Sequence, residues 1–159
     1  MQQLIGFIAA GERGFSRFMD WLAPVFLLGL RLYVAQVFFK SGLTKVQDFS
    51  STVALFENEY RVPLLSPQLA AISGTGAELV LPLMFALGFA SRPAALAFFV
   101  FNAVAVFSYP DISEAGVRDH MLWGTMMLVV LFHGPGWFSI DRWLGGRAAA
   151  SVPASACAN

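Results

Sequence analysis

Residues 21–42 read WLAPVFLLGLRLYVAQVFFKSG, and only Arg31, Gln36 and Lys40 interrupt their apolar character. A bilayer hydrocarbon core of about 30 Å is crossed by about 20 apolar residues in a helix, so this stretch has the length and chemistry of a membrane span. Three more stretches share the pattern. Residues 68–90 (QLAAISGTGAELVLPLMFALGFA) carry one charge, Glu78, and residues 93–109 (PAALAFFVFNAVAVFSY) carry none and a single amide, Asn102. Residues 120–132 are shorter, bounded by Asp119 before and His133-Gly134-Pro135-Gly136 after. The second and fourth spans reach full length only if flanking residues join their helices.

The composition agrees. Of 159 residues, 57% are apolar and 13% charged, against roughly 45–50% and about 25% in soluble domains. The mean hydropathy is +0.65. These values exclude an ordinary soluble α/β enzyme. Ten basic residues balance ten acidic ones, which removes a basic nucleic-acid binder. The single cysteine, Cys157, excludes an internal disulfide, a thiolate cluster or a CxxC relay within the chain. Redox chemistry, if served, has to come from a bound cofactor or another subunit.

These readings define an all-α, polytopic membrane protein: a four-transmembrane-helix bundle with a short amphipathic helix in the first external loop. Residues 1–20 read as an interfacial segment, 21–143 as the bundle, and 144–159 as a small, polar, disordered tail. The loop helix is expected where Phe49, Val53, Phe56 and Tyr60 share a face, with Ser50 or Ser51 as its cap. Ser91-Arg92-Pro93 reads as the tight turn of a hairpin, and Gly134-Pro135 as the stop of the last span. Arg13, Arg17, Arg92, Arg142 and Arg147 fall on one side, and Lys45, Arg61 and Arg118 on the other. The richer side is cytoplasmic by the positive-inside rule, which places both termini there, in a bacterial-type inner membrane.

Charges inside a span cost roughly 2.5–3.5 kcal/mol each at mid-helix, so Arg31, Lys40 and Glu78 need water, protein or a partner. Counting depth from the span ends sets Arg31 and Glu78 about 15 and 18 Å deep, and predicts an ion pair between them. That pair is either a structural staple or part of a proton relay or cofactor anchor. At 100° per residue, Arg31, Ala35, Phe38, Gly42 and Lys45 share a stripe, which is expected to face the bundle. Lys40 lies on the opposite stripe and can snorkel to the headgroups. Lys45, Tyr109, Asp119 and His120 form a polar outer rim. The two histidines, His120 and His133, lie on or beside one span, about 20 Å apart along it, so a bis-His haem within one chain is excluded. A His/Met ligand set with Met121, Met126 or Met127 is conceivable, although methionine in an apolar helix usually packs, and whether a metal binds is left open.

The run Leu30-Arg31-Leu32 through Phe38, Gly42 and Lys45 is similar to the first helix of the DoxX family of small four-helix integral membrane proteins. The likeness continues through Glu78-Leu79, Leu87-Gly88, Ser91-Arg92, Asp119-His120, Trp123-Gly124, Gly134-Pro135-Gly136 and Ser139-Ile140-Asp141. It departs at Ala35, where the family often has glycine. The resemblance implies a four-helix bundle tied to a membrane redox system: members resemble small subunits of thiosulfate:quinone oxidoreductase or partners of thiol and superoxide detoxification proteins. Others accompany systems that modify copper-binding peptides. Arg31, Lys45, Glu78, Arg92 and His120 match the family's polar positions.

Three functions fit these residues. The first is a subunit of a quinone-linked oxidoreductase, with Lys45, Tyr109 and His120 binding the quinone head and His120, Lys45, Glu78 and Arg31 handling protons. The second is a non-catalytic membrane partner of a redox, metal- or copper-peptide-handling protein, docking through the acidic loop. The third is a small transporter gated by Arg31 and Glu78. All imply a lipid bilayer and a protein partner and no nucleic acid; self-association into a homo-oligomer is left open.

Overall fold

The computed structural model describes the backbone of residues 2–150 and the side chains of residues 11–145. Every regular element in it is a helix: α1 (Gln2–Gln47), α2 (Phe49–Asn58), α3 (Pro67–Leu87), α4 (Ser91–Phe107), α5 (Glu114–His133) and α6 (Ile140–Ala150). Residues 11–47 of α1 and the whole of α3 are long and apolar enough to cross a membrane, while α4 is apolar but shorter.

The expected interfacial segment and first span are one helix of 46 residues, with Pro24 inside it. At 1.5 Å per residue α1 is about 70 Å long, twice what a bilayer core needs. No glycine–proline break separates residues 1–20 from the span that begins at Trp21, so the helix runs through. At the other end, α6 carries helix to Ala150 through part of the expected tail. Residues 151–159 of that tail lie outside the described residues.

α1 packs on α3, α3 on α4, and α4 on α5, while α2 lies against α1 and α3. The core is Leu30, Val34 and Phe38 of α1, Phe85 of α3, Ala95 and Phe98 of α4, and Met127 and Val130 of α5. Phe38 is its hub, edge-on to Phe98 at 4.8 Å and to Trp123 at 5.3 Å between ring centroids. The inward stripe of α1 is the expected one: Arg31, Ala35, Phe38 and Gly42 are buried, whereas Tyr33, Gln36 and Lys40 are exposed. Gly42 sets the α1–α3 spacing, since a Cβ there would meet Leu79 Cδ2 at 2.9 Å and Glu78 Cβ at 3.1 Å.

Two local expectations are corrected. The α2 cap is Asp48 rather than a serine: its carboxylate accepts from Ser51 N at 3.0 Å and from the Ser50 and Ser51 hydroxyls at 2.7 and 2.5 Å. Those bonds hold the Asp48 carboxyl at about 2. The hairpin turn lies at 88–90 rather than 91–93. Gly88 (φ 65°) closes α3, and α4 is already helical at Ser91, with Pro93 in its first turn, where an amide hydrogen is not needed.

Candidate functional site

Lys45 and Glu78 form a buried ion pair, Nζ to Oε1 at 2.5 Å, with side chains 14% and 9% exposed. Glu78 sits near the middle of α3, and Lys45 near the end of α1. Helical side chains lean toward their own N-terminus, so in antiparallel helices the two reach toward each other along the axis. Ser41, one turn before Lys45, donates to the same oxygen at 3.4 Å. Glu78 Oε2 is buried with no hydrogen-bond partner.

His120, in the second turn of α5, is fixed by Asn102 of α4. Asn102 Nδ2 donates to the His120 carbonyl at 3.0 Å, and Asn102 Oδ1 lies 2.8 Å from His120 Nδ1. A carbonyl can only accept, so the amide orientation is set, and Nδ1 has to be the ring's donor. The neutral imidazole therefore keeps Nε2 as its free acceptor. The ring stands edge-on to Trp123 at 4.8 Å and to Phe38 at 5.9 Å.

A roof closes over these groups. Tyr60, just after α2, stacks between Phe56 at 4.7 Å and Tyr109 at 5.0 Å. The Tyr109 hydroxyl donates to Glu59 Oε2 at 3.1 Å, and Arg61 N donates to Ser108 O at 2.7 Å. The Tyr109–Glu59 hydrogen bond, with the charge of that carboxylate, holds the phenol above its ordinary range. Under the roof, a chamber of about 190 Å³ is lined by Lys45, Glu78, Tyr60, Tyr109, His120 and Trp123, among others. A second, more apolar cavity of about 300 Å³ shares Lys45, Glu78 and Tyr60 and extends between α3 and α4.

The predicted Arg31–Glu78 pair does not form. Arg31, 1% exposed, spends its fork on backbone carbonyls: Phe85 O at 3.0 Å, Ala86 O at 2.5 Å, Phe138 O at 2.8 Å, and Pro135 O. It caps the last turn of α3, where orphan carbonyls and the negative end of the dipole favour a cation. Its contacts to Phe85 place it seven residues along α3 from Glu78, about 10 Å of rise. The depth count fails because α1 does not begin at Trp21.

Beside Arg31, Asp141 of α6 caps the start of α4. Its carboxylate accepts from Ala90 N at 2.8 Å, Ser91 N at 2.7 Å and the Ser91 hydroxyl at 2.6 Å. Burial works against ionisation, but those bonds and the charge of Arg31 hold the Asp141 carboxyl below its ordinary range. Gly88 lies within this knot, where a Cβ would meet Ser139 Cβ at 2.5 Å.

Of the residues expected at the site, Lys45, Glu78, Tyr109 and His120 line one chamber, and Arg31 lies at the opposite end of the bundle. Asp119 is exposed and does not line it. The sequence reading did not assign Tyr60, Asn102, Ser41 or Trp123 to the site. Asn102 carried a usable signal as the one amide in an otherwise apolar span.

Buried charge and an amide-clamped histidine around a cavity, inside a helical bundle with two candidate spans, fit a helical integral membrane protein with a buried polar site. The DoxX family model matches residues 26–110, and the chain belongs to that family. It is 31% identical over 140 residues, 96% of the relative and 79% of this chain, to the inner membrane protein YphA of Escherichia coli (strain K12). No solved structure matches it.

Proposed function

We propose that the protein is a subunit or accessory of a membrane redox system, with the Lys45–Glu78–His120 chamber as a quinone-head site. In this reading α1, α3, α4 and α5 are four spans of one bundle, α2 is the amphipathic lid of the first external loop, and both termini are cytoplasmic. The inner-membrane location follows that of YphA. The observation that carries the reading is the buried Lys45–Glu78 pair facing a cavity it shares with His120. A structural staple needs no cavity, and charged groups within spans mark pathways and binding sites.

The residues fit a quinone. Lys45 keeps ammonium hydrogens beyond the one given to Glu78, His120 Nε2 can accept or, once protonated, donate, and Phe38 and Trp123 supply an aromatic wall. A bound quinone supplies a two-electron carrier that also takes up protons. Around it Lys45 binds a carbonyl oxygen, Glu78 holds or releases a proton beside it, and Asn102 keeps His120 in one tautomer. The Tyr109 hydrogen belongs to Glu59, so Tyr109 contributes its ring and oxygen rather than a free donor. Arg31 supports the bundle and takes no proton step. The roof formed by Tyr60 and Tyr109 excludes water.

Trp123 lines the chamber and reports on it. A short-chain quinone titrated into the protein in lipid nanodiscs should quench a saturable part of the tryptophan fluorescence. Trp123→Phe should remove that part, and Lys45→Ala with His120→Ala should weaken it about tenfold or more, the loss of one or two hydrogen bonds to charged groups. Non-saturable quenching identical in all variants refutes the site.

A further inference from the structure

The larger cavity poses a separate chemical question. It lies between α3 and α4, beneath Phe56 and Tyr60, and its wall is apolar except at a few points. Two of those points are anomalous. Ser108 Oγ and Glu78 Oε2 are buried and have no hydrogen-bond partner, in residues only 2% and 7% exposed. Buried polar atoms are nearly always paired, because an orphan costs its full desolvation. Both belong to residues lining the same cavity, the one cavity among those described that Ser108 lines, so a ligand there could supply the missing partner. The exposed Leu65, Ser73 and Val104 stand at its edge, which opens it at the surface; with α3 and α4 read as spans, that opening faces lipid.

The orphan atoms set the ligand's chemistry. A carboxylate oxygen accepts, so the ligand needs a donor hydrogen. An anion is repelled by Glu78, and a second ammonium is opposed by Lys45, whose Nζ lies 2.5 Å from Oε1. A lone water can bridge the two orphan atoms but leaves nearly all of this largely apolar cavity of about 300 Å³ unfilled. We propose that this cavity binds a neutral, membrane-soluble alcohol or phenol, with its hydroxyl donating to Glu78 Oε2, Ser108 Oγ as the second polar contact, and its apolar body between α3 and α4. The site shares Lys45, Glu78 and Tyr60 with the quinone chamber, but His120, Tyr109 and Trp123 do not line it, so binding here is read separately from quenching at Trp123.

The test compares 4-nonylphenol with its methyl ether, 4-nonylanisole, on the full chain in lipid nanodiscs, corrected for partition into empty discs. The phenol should bind at least about tenfold more tightly, one hydrogen bond to a charged acceptor. Ser108→Ala should weaken the phenol several-fold yet leave thermal stability unchanged or higher, because the hydroxyl it removes bonds nothing in the fold. Thr75→Val removes another orphan hydroxyl, one outside this cavity, and should leave phenol binding alone. Equal affinity of phenol and ether identifies an acyl-chain groove and overturns the proposal, as does full binding in a folded Ser108→Ala, Glu78→Gln variant. Loss of quinone quenching at Trp123 with phenol binding intact refutes the redox site alone.

Discussion

Replacing Arg31 with leucine removes four hydrogen bonds to carbonyls at one end of the bundle and leaves Asp141 without its cationic neighbour. Hydrogen bonds to charged groups contribute about 1.5–3 kcal/mol each, so a naive sum for four is about 6–12 kcal/mol. Several carbonyls have other recourse. Phe85 O also accepts from Gly88 N at 3.3 Å, and Pro135 and Phe138 lie in a loop with exposed side chains nearby, where water can replace the guanidinium. The net cost is therefore about 3–5 kcal/mol, the range for stranding partners of a buried charge. At about 2–4 °C per kcal/mol for a chain of this size, the midpoint of thermal unfolding in detergent should fall by roughly 6–20 °C. Arg31→Lys should recover only part of this, since a point ammonium cannot span carbonyls from α3 and from the 135–138 loop. A shift under about 2 °C for Arg31→Leu, less than 1 kcal/mol would give, refutes the clamp.

Pairing is separable by double-mutant cycles. Lys45→Leu with Glu78→Leu should show a coupling of about 2 kcal/mol or more, whereas Arg31→Leu with Glu78→Leu should be additive within about 0.5 kcal/mol. The reverse result would restore the pairing read from span depth. Asp48 predicts a pH effect of defined sign. Its folded value of about 2 lies below the unfolded carboxylate, so its cap supports α2 above about pH 4 and is lost as pH falls toward 2. The protection factors of the residue 51–53 amides, corrected for the intrinsic pH dependence of exchange, should fall across that window and stay flat in Asp48→Asn; a flat wild-type profile counts against the cap.

What could be read in the sequence was what leaves a periodic mark. Apolar runs, two of them long enough to cross a membrane, located α1, α3, α4 and α5, and the 100° advance from Arg31 to Lys45 identified the buried face of α1. The grouping of Lys45, Tyr109 and His120 came from shared depth. Partnerships were less legible. Arg31 bonds backbone carbonyls, which no residue type advertises, and its depth could not be counted from Trp21 in a helix that starts at Gln2. Asp141 caps a helix whose first residue lies 50 positions earlier, so the usual cap site before α4 holds Ala90 instead. Tyr60 and Asn102 joined the site through tertiary contacts, a ring stack and a clamped imidazole, invisible to spacing along either helix.

In the proposed function Lys45, Glu78 and His120 surround a quinone head. Photolabelling with a short-chain azidoquinone in native-lipid discs, with peptide mapping of the adducts, tests it most directly. Crosslinks should concentrate on chamber residues such as Val37, Trp123 and Ala105, be competed by unlabelled quinone and be lost in Lys45→Ala, His120→Ala. Labels spread over the exposed residues Tyr33, Val80 and Val100, unaffected by competitor or by those substitutions, would refute it.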